Sequence, residues 1–209
     1  MKRAAAIALL ALACATSHAV APGVFGDGTY ENAALGLRVV LPPGWVFLSR
    51  EEIARSVEQR AVSAQEKRAA KSALTDPTML FTMADTAHAP AASQPRTSVA
   101  AHAERVAKPP AGLSSEQLAI ELEHALLAGD APIEIGARRQ AIVGGRRFTV
   151  LPTVTQHRGV RGHLDHYLRY EDGRLLTLTM AYPLDRAAPP QEAVEAIRPL
   201  APNTPEGTP

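Results

Sequence analysis

The chain has 209 residues, with 22 Lys and Arg side chains against 21 Asp and Glu side chains, and its formal net charge is +1. A charge so close to zero gives no reason to expect nucleic acid or an anionic membrane surface as the partner. Because only 4% of the residues are aromatic, a core has to be built mainly from Leu, Val, Ile and Ala.

The first nineteen residues have the organisation of a signal peptide. Lys2 and Arg3 give a positive start, and Ala4–Ala15 is an apolar run too short to span a bilayer. Ser17-His18-Ala19 then supplies the small-x-small pattern of a cleavage site. We therefore predict export to the periplasm or beyond, with cleavage after Ala19, which removes two basic residues and leaves 20 against 21, a net charge of −1.

Cys14, the only cysteine, lies inside this apolar run. Cleavage after Ala19 removes it, which leaves the mature protein without a disulfide, a thiol nucleophile or a thiolate metal ligand. The alternative is a lipoprotein with Cys14 as its lipidated first residue, but Ala11-Leu12-Ala13 matches a lipobox poorly. After removal of the signal, no stretch is apolar enough to cross a membrane.

The remaining pattern predicts one domain at 28–198. A mobile leader is expected at 20–27, and a disordered, proline-rich tail is expected at 199–209. The first elements are strands at Tyr30–Asn32 and Leu35–Leu41, the second of which has the two-residue apolar period of a strand.

A type II turn at Pro42–Trp45 should end the second strand, because Pro43 presets the first central dihedral and Gly44 accepts a positive φ. A strand at Trp45–Leu48 follows. Ser49–Glu52 is a capping box, which predicts a largely solvated helix to about Ser72.

The middle of the chain continues with strands at Thr78–Ala84 and Thr97–Val106, separated by an Ala- and Pro-rich loop at 86–95. A second capping box, Ser114–Gln117, opens a helix with an apolar stripe of Leu118, Leu122, Ala125 and Leu126.

The pattern of the C-terminal half predicts hairpins, followed by a closing helix at Gln191–Arg198. Strands at Arg138–Val143 and Arg146–Leu151 flank Gly144-Gly145, a two-residue turn. For the next hairpin we predict a three-residue bulged turn, Glu171–Gly173, with Gly173 left-handed. This register places two apolar sets on one buried face: Leu164, His166, Leu168 and Tyr170 with Leu176, Leu178 and Met180. The element order predicts an α+β domain, an antiparallel sheet with helices packed against it.

The early segment also resembles a known family. Its pattern is Tyr30-x-Asn32-x-x-x-Gly36-Leu37-x-Val39-x-Leu41-Pro42-x-Gly44-Trp45. It resembles the opening of PsbP-like domains, which include DcrB-like secreted proteins. The resemblance implies an α/β sandwich on an antiparallel sheet, action mostly by docking onto other proteins, and no shared catalytic residues. It makes the following positions structural: Tyr30, Asn32, Gly36, Pro42, Gly44 and Trp45.

A His- and Asp-containing stretch is the first candidate for chemistry, because such residues can bind zinc or transfer protons. Its members are His157, His163, Asp165 and His166. Strand alternation puts His163 and Asp165 on an outer face with Tyr167 and Arg169, and His166 on the core side. We therefore expect a solvated polar face and one hydrogen-bonded core histidine, with no metal site and no cofactor.

Arginines form the second candidate. From Arg138 to Arg174 there are eight Arg, no Lys and three acidic residues, a local balance of +5. Alternation places Arg138, Arg147 and Arg169 towards solvent, where they would hold an anionic group, although exposed strands also carry arginine without any ligand.

Common enzyme signatures are absent, among them the Gly-x-Ser-x-Gly and His-Glu-x-x-His motifs. We predict an exported, non-catalytic envelope protein that docks onto a protein partner through an exposed sheet face or the charged helix at 50–72. The alternative is a carrier or sensor of a small anionic ligand on the arginine-rich face. An enzyme using the 157–166 region, either a hydrolase or metal-dependent, is the third hypothesis.

Overall fold

The computed structural model describes residues 17–60, 75–88, 95–129, 132–157 and 159–201. In these ranges the chain forms an antiparallel α+β domain, as predicted, with two sheets and three helices. The helices are α1 (Arg50–Arg60), α2 (Ser115–Leu127) and α3 (Gln191–Glu195). None of the helices described is long and apolar enough to span a bilayer.

The larger sheet contains ten of the described strands. Its bounds are β1 (Ser17–Ala19), β5 (Trp45–Phe47), β6 (Met79–Asp85), β7 (Ser98–Val106), β8 (Ile133–Ile135), β9 (Arg139–Val143), β10 (Arg146–Leu151), β11 (Thr153–His157), β12 (Val160–Glu171) and β13 (Arg174–Tyr182). The main order is β5-β6-β7-β13-β12-β10-β9, and β1 pairs with β7, β11 with β12, and β8 with β11. The sheet therefore has β5 at one edge and β9 at another.

A smaller sheet packs on one face of the larger one. Its order is β14-β4-β3-β2, with the bounds β2 (Val24–Gly26), β3 (Thr29–Asn32), β4 (Leu37–Val40) and β14 (Ile197–Pro199). Tyr30 of β3 is fully buried, and its ring centroid lies 5.1 Å from that of Phe81 on β6. We call the face of the larger sheet that meets the smaller sheet the front face.

The opposite, back face carries α2. Leu118 and Leu122 of α2 pack with Leu168 of β12 and Leu175 of β13 in a second apolar cluster. The larger sheet is therefore buried on both faces at this end, and its strands have no uniformly solvated side.

Burial on both faces explains why the predicted bulged hairpin is wrong. Glu171 pairs with Arg174, so the turn has two residues, Asp172 and Gly173, with φ of 50° and 71°. This register puts Leu178 on the front face beside Tyr167 and leaves Leu168 on the back face. The two apolar sets do lie on opposite faces, because each face has its own core to fill. The left-handed Gly173 is confirmed.

The local motifs are confirmed where the structure describes them. The Ser49 amide donates to Glu52 Oε2 at 2.7 Å, and the Glu52 amide donates to Ser49 Oγ at 3.1 Å. Ser114 also caps α2, since its Oγ accepts from the Gln117 amide at 3.1 Å, but the Gln117 side chain donates to Glu121 and not back to Ser114. Gly144 and Gly145 both have positive φ, and the Trp45 amide closes its turn on the Pro42 carbonyl at 3.1 Å.

Some predicted bounds differ. The closing helix ends at Glu195, and the next residues form β14, because Ile197 pairs with Val39 of β4. The predicted leader contains β2 and the buried Val20. Ala125 of α2, which was expected in the buried stripe, is exposed, and Ala119 is buried in the core instead. The predicted continuation of α1 to 72, most of the 86–95 loop and the tail from 202 fall outside the described residues.

Candidate functional site

The residues of the Tyr30–Trp45 pattern lie in the smaller sheet and its turns. Asn32 is buried, and its amide nitrogen donates to the Ala21 carbonyl at 2.9 Å and to the Tyr30 hydroxyl at 3.2 Å. Its side-chain oxygen accepts from the Leu35 amide at 3.0 Å. Pro42 and Gly44 form the turn before the buried Trp45, and Gly36 has a φ of 56°. These contacts tie the segment at Ala21 to the turn that enters β4.

The three arginines that sequence reasoning selected do not converge. Arg138 forms ion pairs with Glu116 and Glu123 of α2, on the back of the sheet. Arg147 is exposed on β10. Only Arg169, on the front face of β12, lines a cleft.

That cleft brings together a different set of arginines. It has a volume of about 170 Å³ and lies where the β12–β13 hairpin and the start of β10 meet the Ala34–Gly36 turn of the smaller sheet. Its charged lining residues are Arg146, Arg169, Arg174, Glu171 and Asp172, and we call it the arginine cleft. No local sequence pattern brings Arg146 and Arg174 together, because the turn that covers them is more than 100 residues away, as the 110-residue separation of Arg146 from Gly36 shows.

The guanidinium groups of this cleft are held mainly by backbone carbonyls. Arg174 donates to the Ala34 carbonyl at 2.7 Å, and Arg146 donates to the Gly36 carbonyl at 3.4 Å. Arg169 donates to the Arg147 carbonyl at 3.4 Å and forms an ion pair with Glu171. Burial lowers the pKa of Arg146, and the positive charge of Arg169 lowers it further, against a smaller opposing effect of Glu171.

A second polar group lies on the same face, further along β12. Asp165 has a side chain only 1% exposed, and its Oδ2 accepts from Arg139 at 3.0 Å. Burial raises the pKa of this carboxyl, although Tyr182 and Arg139 both oppose the rise. Its other oxygen, Oδ1, is buried and has no hydrogen-bond partner within the described part of the chain.

The pair formed by Asp165 and Arg139 borders an open cavity of about 380 Å³ beneath α3. Arg139 and Tyr167 line it together with residues of the segment that leads into the helix. Burial and the nearby Asp165 raise the pKa of Tyr182, whose ring stacks on His163 at 4.6 Å. The expectation that Asp165 and Tyr167 face solvent is wrong, because the smaller sheet and α3 cover this side.

The histidines of the candidate stretch separate as alternation predicts. His163 lies on the front face opposite Tyr182, and His166 lies on the back face, 9% exposed. Burial lowers the pKa of His166 to about 4. The expected hydrogen bond is not seen at Nε2, which has no partner among the described residues. The side chain of His157 is outside the description. Within the ranges described, no three His, Cys, Asp or Glu side chains are grouped to hold a metal ion.

Exposed apolar side chains occur on two neighbouring edge strands. Val24 and Phe25 of β2 are 74% and 54% exposed, and Val46 of β5 is 39% exposed. The rings of Phe25 and Phe47 are 5.2 Å apart, so β2 of the smaller sheet lies beside β5 of the larger one. We call Val24, Phe25 and Val46 the edge patch.

No family model and no curated protein matches the chain. The solution structure of cyanobacterial PsbP (CyanoP) from Synechocystis sp. PCC 6803 is similar, with a TM-score of 0.45 and 12% identity over 80% of this chain and 88% of that one. The crystal structure of LpqN, involved in cell envelope biogenesis of Mycobacterium tuberculosis, is similar with a TM-score of 0.44 and 12% identity over 81% and 80%. The first of them carries the name of the family that the Tyr30–Trp45 segment resembles.

Proposed function

We propose that the protein is an exported, non-catalytic module of the cell envelope that docks onto another protein through the edge patch. The observation that supports this proposal is the exposure of Val24, Phe25 and Val46 on two adjacent edge strands. Isolated exposed apolar residues are ordinary, but a group of them at a sheet edge is typical of an interaction surface.

The edge strands are suited to strand addition. An edge strand presents backbone N–H and C=O groups without partners, and proteins usually protect such edges with Lys, Pro or a bulge. The sequences of β2 and β5 are Val-Phe-Gly and Trp-Val-Phe, which contain none of the protecting residues. The partner we expect is an extended protein segment with apolar side chains, which would pair with the β2 backbone and bury Phe25.

Phe25 is the anchor of this surface. Its ring lies 4.9 Å from Tyr30 and 5.2 Å from Phe47, so it is fixed from beneath while more than half of it remains exposed. A pre-positioned aromatic side chain loses little entropy on binding, which is a common property of interface hot spots.

Site-specific photo-crosslinking in the cell envelope tests the proposal. A photoreactive residue at Val24 should give one reproducible protein adduct, and Phe25→Ser should abolish it. Ile142 is the matched control position, because it is 61% exposed on β9, another edge of the larger sheet, beside the polar Arg139 and Gln140. No adduct at Val24, or the same adducts from both positions, would contradict docking at the edge patch.

Export is tested separately by the intact mass of the untagged protein from the envelope fraction. A chain that starts at Val20 supports cleavage after Ala19, and a diacylated chain that starts at Cys14 supports the lipoprotein alternative. A chain that keeps its first residues would contradict export by this signal.

A further inference from the structure

The arginine cleft holds more positive charge than its own carboxylates neutralise. Glu171 is engaged by Arg169, and neither Arg146 nor Arg174 forms an ion pair with a carboxylate in the part of the chain that the structure describes. Arg105 of β7 lies directly opposite Arg174 of β13 in the sheet register, which adds a further positive charge at this end of the two strands. Like charges placed opposite one another destabilise a sheet unless something neutralises them.

The donors of these arginines are also largely unused. A guanidinium has five N–H donors, and Arg146 and Arg174 each make one protein hydrogen bond in the described contacts, to a carbonyl of the 34–36 turn. These carbonyls hold the two groups in place and leave their other donors available. Arg169, the third arginine of the cleft, is held by its ion pair with Glu171, and its side chain is only 16% exposed.

We propose that the arginine cleft binds a phosphate group. Guanidinium groups match the oxygens of phosphate in geometry and charge, and the three of them surround one small space. A tetrahedral oxyanion offers acceptors in several directions, which suits donors arriving from β10, β12 and β13. The cleft has room for such a group, and because it is open to solvent, the rest of a phosphate ester could extend out of it.

The site is distinct from the edge patch, and it goes beyond protein docking. The phosphate has two sources that share this chemistry: free phosphate, and the esterified phosphate of an anionic lipid headgroup. Because different strands carry the two surfaces, loss of phosphate binding and loss of the protein partner are separate results.

Calorimetric titration of the mature protein with inorganic phosphate is the first arm. Arg146→Gln and Arg174→Gln should each weaken binding about tenfold or more, because each removes a charge-assisted donor group. Arg161→Gln is the matched control, since Arg161 lies on β12 as well but is exposed and paired with Glu134, away from the cleft. Arg174→Lys, which keeps the charge and loses the fork, should recover only part of the affinity.

Flotation with vesicles is the second arm, using phosphatidylglycerol in phosphatidylcholine against phosphatidylcholine alone. Inorganic phosphate binding that Arg146→Gln and Arg174→Gln each weaken by the expected factor supports a free anion. Binding to phosphatidylglycerol vesicles alone, lost in the same variants, supports a lipid headgroup. Absence of binding in both arms overturns the proposal, as does equal binding by the wild type and by correctly folded variants.

Discussion

Acidification should destabilise the fold through His166. Its imidazole is 9% exposed on the back face, between Leu151 of β10 and Thr179 of β13 in the sheet register. Burial lowers its pKa to about 4 from an ordinary value of 6.5, and no other cause contributes. The charged form is therefore disfavoured in the folded state and allowed in the unfolded chain.

The sign and size of the change in folding stability with pH follow from proton linkage. As pH falls below 6.5, the unfolded chain binds a proton at His166 that the folded protein does not, so stability decreases until the pH reaches about 4. A pKa difference of this size corresponds to about 3 kcal/mol lost over that interval. Asp165 acts in the opposite sense, because its raised pKa gives stability at low pH that is lost as pH rises.

Urea denaturation of the wild type and of His166→Phe from about pH 7 to about pH 4.5 measures this effect. The variant lacks the titrating group, so its free energy of unfolding should decrease less on acidification, whatever its absolute stability. His124→Gln, on the exposed side of α2, is the control and should keep the wild-type dependence. Parallel pH dependences for the wild type and His166→Phe would refute the reasoning.

Three further substitutions test other parts of the structure. Arg139→Leu should lower the free energy of unfolding by about 1–3 kcal/mol at neutral pH and by less in acid, where Asp165 is protonated; equal losses in urea denaturation at both pH values would argue against a buried charge. Asn32→Ala should cost about 1–3 kcal/mol in the same assay, because the Ala21 carbonyl loses its donor and the Leu35 amide keeps only the backbone carbonyl of residue 32; an unchanged midpoint would contradict this. Asp172→Val should cost about 1–2 kcal/mol at its φ of 50°, and Asp172→Gly should not; similar losses in both would point away from backbone strain.

The sequence by itself determined the features that depend on neighbouring residues. The Ser49–Glu52 and Ser114–Gln117 caps and the Gly144-Gly145 turn are each set within a few positions, so their chemistry can be read directly. Strand alternation also separated His163 from His166 correctly, and the element order indicated an antiparallel α+β domain.

Only the tertiary structure decided which faces are covered. Strand alternation predicts that Asp165 and Arg169 share a face, but it does not predict that a second sheet covers that face. The assumption of one buried face therefore misassigned the β12–β13 register and placed Asp165 in solvent. The arginine cleft was missed for the same reason, because Arg146 and Arg174 meet only where the distant 34–36 turn folds over them. Such contacts come from packing elements that lie far apart in the chain, which no local pattern records.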